Sequence, residues 1–188
     1  IPAARTLLGL SALPSDHPLN VGMLGMHGSY APNVMTQQAD VIIAIGMRFS
    51  DRVTGRLDTY AKQAKIIHLD IDNVEIDKNV KTDVSVVGDC KMSLPAITRL
   101  LNKNEHTEWI EGFKPYLQQE TEKVIEPAIH PKEGPLLMGE VVNAVAEATD
   151  GEAVLVNDVG QNQMFSCRYF KYKRKLSVVT SGGLGTMG

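Results

Sequence analysis

Short apolar, β-branched runs recur along the first two thirds of the chain and alternate with stretches of helical period, as strands and helices do in a parallel sheet. Val41-Ile42-Ile43-Ala44-Ile45, Ile66-Ile67-His68-Leu69 and Val84-Ser85-Val86-Val87 are the clearest strands, and each closes on Gly or Asp: Gly46, Asp70 and Gly88-Asp89. Arg5-Thr6-Leu7-Leu8-Gly9 is predicted as a first strand, and 21–24 as a further short one before the turn Gly25-Met26-His27-Gly28. One helix is predicted from Ala31-Pro32 to Ala39, with Pro in its first turn, and another along the face of Leu94, Ile97 and Leu101. Trp109, Phe113, Leu117 and Val124 mark a helix over 107–125 that Pro115 kinks or splits, with Glu108 and Glu111 toward the positive end of its dipole. The run 126–135 holds three prolines and a glycine and is read as unable to carry a regular helix or ladder. Beyond it, a stripe of Leu137, Val141, Ala144, Val145 and Ala148 predicts a helix, followed by strands at 153–156 and 176–180. The expected organisation is an α/β domain over 1–126, a Pro-rich linker over 127–135 and the start of a second α/β domain over 136–188.

A chain of 188 residues with 43% hydrophobic and 22% charged positions suits one domain plus a remainder, or two small ones. Lys and Arg number 19 against 22 Asp and Glu, a net charge of −3, so there is no basic excess to bind nucleic acid broadly. The apolar run at 41–47 falls far short of the roughly 20 residues that span a bilayer, and no membrane association is expected. Cys90 and Cys167 form no C-x-x-C pair, which argues against a disulfide framework or a zinc ribbon and for a reducing, cytoplasmic setting. The sequence opens on Ile1-Pro2-Ala3 and stops in a glycine-rich turn at 183–188, so it is expected to be a piece of a larger protein.

Loops at the carboxyl ends of parallel strands form the ligand crevice of open α/β sheets. Gly46-Met47-Arg48-Phe49-Ser50-Asp51-Arg52-Val53-Thr54-Gly55 places two guanidinium groups directly after a strand, and Arg forks match diphosphate oxygens in bidentate fashion. Asp70 follows Gly46 by 24 residues, near the ~20-residue offset at which an acid meets ribose hydroxyls in dinucleotide folds. Asp89 closes a third strand and can face the same crevice. These residues equally suit plainer roles: Asp at a strand end as a helix cap or turn former, and Arg48 or Arg52 paired with Asp51 or Asp58 on the surface. Gly25-Met26-His27-Gly28 either lets backbone approach a flat ring, with Met26 packing on it, or is a strand-to-helix turn with Met26 in the core. The spacing Gly183-x-Gly185-x-x-Gly188 is by itself a tight turn. The five histidines, His17, His27, His68, His106 and His130, show no metal-ligand spacing, and His68 reads as a packed core residue. Tyr169-Phe170-Lys171-Tyr172-Lys173-Arg174-Lys175 interleaves aromatics with charge and reads as a solvated loop leading into a strand.

Taken in order, 23–28, 46–55, 66–72, 159–164 and 181–188 resemble the catalytic large subunit of acetohydroxyacid synthase, also called acetolactate synthase, over essentially the whole chain. The resemblance implies a parallel Rossmann-like sheet of the DHS-like NAD/FAD-binding type, followed by the truncated start of a thiamine-diphosphate-binding domain. It implies an enzyme that decarboxylates pyruvate and joins the fragment to a second 2-oxo acid, in branched-chain amino acid synthesis. By resemblance, FAD contacts fall on Thr6, Leu7, Leu24, Gly25, Met26, His27, Gly46, Met47, Arg48, Phe49, Ser50, Asp51, Arg52, Asp70, Ile71, Asp89 and Cys90. Thiamine diphosphate contacts fall on Gln161, Asn162, Gly185, Thr186 and Met187, the last in a turn whose Met props the cofactor in its bent form. Asn162 departs from the family's frequent His, Phe165 from a frequent Trp, and Ser50 from a frequent Asp. The family's activating glutamate and its Mg2+-binding motif match nothing in this sequence, so no catalytic or metal-binding residue is assigned and the 188 residues alone are expected to be inactive. A homodimer or tetramer and a small regulatory subunit are the implied partners. Competing readings are a glyoxylate carboligase or sulfoacetaldehyde acetyltransferase of the same architecture, and a non-catalytic adenine-nucleotide-binding domain.

Overall fold

Every strand pair in the computed structural model, which describes residues 1–187, runs parallel, as the clustered β-branched runs and the helical stretches between them require. The chain packs as two compact units, one built from 1–33 with the described residues from 107 onward, the other from 34–106.

In the first unit, β1 (Ala3–Arg5) pairs with β2 (Asn20–Met23) through Ala3↔Asn20 and Arg5↔Met23. The predicted first strand is corrected here: β1 stops at Arg5, and Leu7–Ala12 coils into a 3₁₀ helix. Residues three apart eclipse in a 3₁₀ helix, so Leu7 and Leu10 face one side together. They meet Met23, Ala146, Cys167, Phe170 and Tyr172 in the unit's core, while Leu8 points to solvent. Helix α1 (Tyr30–Thr36) then carries the chain into the second unit.

In the second unit, β3 (Val41–Ile45) is followed by the short helix α2 (Asp51–Thr54), then β4 (Lys65–Asp70) and β5 (Val84–Val87). The strand order is β3-β4-β5, in unbroken register from Val41↔Lys65 to Ile45↔Leu69 and from Ile67↔Val84 to Asp70↔Val87. Ala44, Met47, Phe49, Tyr60, Ala61 and Ile66 form its core. His68 is fully buried with its ring edge-on to Phe49, centroids 5.2 Å apart, which bears out the core reading of this histidine. Helix α3 (Cys90–Leu100) follows β5 and closes the unit.

Returning to the first unit, the helix predicted over 107–125 is split into α4 (Thr107–Glu111) and α5 (Lys114–Glu120). Pro115 lies in the first turn of α5, where its missing N–H costs no hydrogen bond. A π turn at Thr121–Ile125 leads into α6 (Glu126–Ile129), so helical backbone reaches further than the proline content predicted. Pro127 is in the first turn of α6, and the wider π turn before it absorbs the missing donor. The irregular run therefore starts at His130, not Glu126. Helix α7 (Met138–Ala148) crosses α6 so closely that a Cβ on Gly139 would lie 2.7 Å from the Ala128 carbonyl oxygen. Strands β6 (Leu155–Asn157) and β7 (Val178–Thr180) pair around helix α8 (Gln161–Tyr169). In the segment after α8 the cations are exposed, but Phe170 and Tyr172 are buried in the core with Tyr169 beside them. The aromatics expected in a solvated loop are thus packing residues and have no free faces for base stacking.

Candidate functional site

Three rims hold the residues singled out from the sequence. In the second unit, the Gly46 N–H donates to the Leu69 carbonyl (2.8 Å) and the Gly88 N–H to the Asp70 carbonyl (2.9 Å), which sets the carboxyl ends of β3, β4 and β5 side by side. Gly46, Asp70 and Asp89 therefore share one edge of one sheet, with Arg48, Asp51 and Arg52 exposed on the loop leaving β3. Gly46 takes φ 59°, and the space where a Cβ would stand is open. The intervening side chains turn the other way. Met47 and Phe49 are buried in the core, Phe49 at φ 49°, so only their backbone can face a ligand. The Ser50 carbonyl receives the Val53 and Thr54 N–H groups and starts α2.

Each acid on this edge has local work as well. Asp70 is buried; one carboxylate oxygen receives the Asp72 N–H (2.9 Å) and the other lies 3.7 Å from His68 Nε2. Asp89 caps α3 by accepting the Lys91 N–H (2.9 Å), with Cys90 half-buried next to it. Asp58 pairs with Arg56. Ile71 is exposed at the edge. On the loop leading to β5, hydrogen bonds from the Thr82 N–H and hydroxyl hold the Asp77 carboxyl below its usual range.

In the first unit, the 24–28 turn is held from several sides. Leu24 N–H donates to the Arg5 carbonyl (2.8 Å), and Ser29 N–H to the Met23 carbonyl (2.7 Å). The Asn33 side chain brackets Gly25, accepting its N–H (3.0 Å) and donating to its carbonyl (2.9 Å). Arg168 donates to the Gly28 carbonyl (3.1 Å). Met26 and His27 are exposed at the tip, which settles the alternative for Met26 against a core position. Thr6 leads into the 3₁₀ helix, and Leu7 turns its side chain to the core.

The third rim lies at the carboxyl ends of β6 and β7. Gly160, at φ 132°, precedes α8, whose first turn exposes Gln161 and Asn162. The Val159 N–H donates to the Thr186 carbonyl (3.1 Å), and the Thr186 hydroxyl to Asp158 (3.3 Å). Gln161 and Asn162 are thereby brought to the same end of the strand pair as Gly185, Thr186 and the exposed Met187. The Asn162 side-chain Oδ1 accepts the Gln163 N–H. Gly188, the last glycine of the spaced trio, lies outside the described residues. Among the described residues, no group of three or more His, Cys, Asp or Glu side chains is placed to hold a metal ion, and no helix is long and apolar enough to cross a membrane.

Sequence reasoning did not find Asn33, Glu120 or Arg168. Glu120 accepts the Tyr30 N–H (2.8 Å) and the Arg168 guanidinium, contacts 90 and 48 residues apart that no local spacing signals.

Residues 1–97 match the family model described as thiamine pyrophosphate enzyme, central domain. Over its full length the chain is 41% identical to the acetolactate synthase large subunit of Lactococcus lactis, covering 32% of that protein. It is 42% identical to a probable acetolactate synthase large subunit of Methanocaldococcus jannaschii, covering 32% of it, and 38% identical to the chloroplastic acetolactate synthase 1 of Nicotiana tabacum, covering 28%. The chain spans about a third of the length of the curated relatives it matches.

Proposed function

Because this chain belongs to the thiamine pyrophosphate enzyme family through its central domain, we propose that it forms part of the catalytic large subunit of an acetolactate synthase. The observation that carries the reading is that identity to relatives so named extends over the full chain, well past residue 97 where the family model ends. In this reading 1–126 is the FAD-binding-type central domain, 136–188 the start of the thiamine-diphosphate-binding domain, and 127–135 the Pro-rich connection between them, irregular from His130 onward. The whole protein condenses pyruvate with a second pyruvate or with 2-oxobutyrate, losing CO2. It works as a homodimer or tetramer, with a small regulatory subunit as a further partner, in the cytoplasm.

The donor chemistry of the rims fits these groups. Two exposed guanidinium groups, a buried carboxylate and an open glycine at one sheet edge are what a diphosphate and a ribose require. Arg48 and Arg52 would hold FAD by its diphosphate and Asp70 by a ribose hydroxyl. Met26 and His27 offer an exposed tip for the flavin ring on the turn that Gly25 begins. Gln161, Asn162 and 185–187 would hold and orient thiamine diphosphate, which when bound supplies the carbanion chemistry. Mg2+ belongs to the whole protein, with no ligand assigned among these residues.

The test is to express the protein from its full reading frame and assay it with thiamine diphosphate, Mg2+ and pyruvate, with and without 2-oxobutyrate. Acetolactate is the expected product, and flavin absorbance should persist through purification and fall with Asp70→Asn. The 188 residues alone should form no acetolactate. A colourless full-length protein that makes no acetolactate would overturn the reading.

A further inference from the structure

Within the first unit, a cavity of about 120 Å³ lies among β1, β2, the 25–29 turn and the end of α8. Its polar lining is Arg5, Ser15, His27, Ser29, Arg168 and Lys171, and no carboxylate lines it. The charges are not equivalent. Arg168 is matched by Glu120 and donates to the Gly28 carbonyl. Arg5 donates only to carbonyl oxygens, those of Leu10 and Leu13, and among the described residues no carboxylate pairs with it. Burial pushes the Arg5 guanidinium below its ordinary value, the direction expected of a charge held away from water without a counterion.

Both guanidinium groups also keep a buried Nε–H that meets no acceptor. Two guanidinium groups lining one cavity with no carboxylate call for an anionic occupant. The cavity is well below the ~300 Å³ at which drug-sized pockets begin, which suits a ligand of a few heavy atoms. We propose that this cavity binds a small oxyanion, inorganic phosphate or a short-chain carboxylate, through Arg5 and Arg168, with Lys171, His27 and the two serines completing its shell. The proposal does not rest on the flavin assignment, although the two share His27.

Isothermal titration of the full chain with inorganic phosphate, with pyruvate and with chloride, at constant ionic strength, tests it and separates the two sources. Binding of phosphate or pyruvate but not chloride is expected, weakened about tenfold or more by Arg5→Gln, partly restored by Arg5→Lys and reduced several-fold by Lys171→Gln. Binding of neither oxyanion, or an affinity unchanged in Arg5→Gln, overturns the site. Should circular dichroism show Arg5→Gln unfolded, Lys171→Glu at its exposed position decides: weakened binding supports the site and unchanged binding overturns it. Phosphate binding that persists when FAD is added in excess supports a separate site, and its complete loss overturns it by making the cavity part of the flavin groove.

Discussion

Cys167 lies against Leu10, Met23, Phe170 and Tyr172, and burial pushes its thiol from about 9 up to about 11. Between those two values the unfolded chain has lost this proton and the native chain retains it, so stability falls as pH rises through the window and is fully present below it. Two pH units correspond to at most about 3 kcal/mol. Urea unfolding compared at about pH 8.5, below that window, and at about pH 10.5, well into it, should show a larger loss for the parent than for Cys167→Ala; equal losses would refute the argument. The same residue scale shows why a ligand-binding loop is hard to read in one dimension. From Met47 to Arg52, core and surface side chains are mixed, with Met47 and Phe49 inward and Arg48, Asp51 and Arg52 outward. The sequence signalled the arginines, but the left-handed turn of Phe49 that separates the sets depends on Tyr60 and His68 packing on its ring.

At the scale of elements, helices and strands with strong periodicity formed where predicted, and the departures have local causes. Arg5–Gly9 was read as a strand because its apolar residues are adjacent, yet Leu7 and Leu10 at three-residue spacing found a shared core in a 3₁₀ turn. Pro115 starts a helix rather than ending one, since a first turn has no use for the N–H it lacks, and Pro127 sits in helical backbone just after a π turn. Glu120 looks in sequence like one polar position on a helix. In the fold it is 6% exposed and joins the end of α5 to Tyr30 at the start of α1 and to Arg168 on α8. Glu120→Ala would strand a half-buried guanidinium, and the expected loss is about 3–5 kcal/mol by chemical denaturation. A loss within about 0.5 kcal/mol, as for an ordinary surface change, would show the pair to be dispensable.

At the scale of the molecule, the net charge of −3 and an isoelectric point near 6.0 leave little repulsion between copies in mildly acidic solution. The register aligns Ile43, Ile67 and Val84 in one row across the sheet, and Val41, Ile43, Ile45 and Val84 are exposed on that sheet face. Light scattering should therefore peak near pH 6 and fall by pH 8, and a flat profile would exclude charge-controlled association. The parallel α/β class and the three acid- or glycine-terminated strands were determined by sequence alone, because β-branched runs and the turn residues that close them act over a few positions. The same holds for the family, whose motifs are contiguous. The tertiary structure alone decided which strand ends share an edge, which side chains of 46–52 face the core, and that Arg5, Glu120 and Arg168 converge. Those outcomes depend on register and on packing between residues as distant in sequence as Gly28 and Arg168, 140 positions apart, and no local pattern encodes such distances.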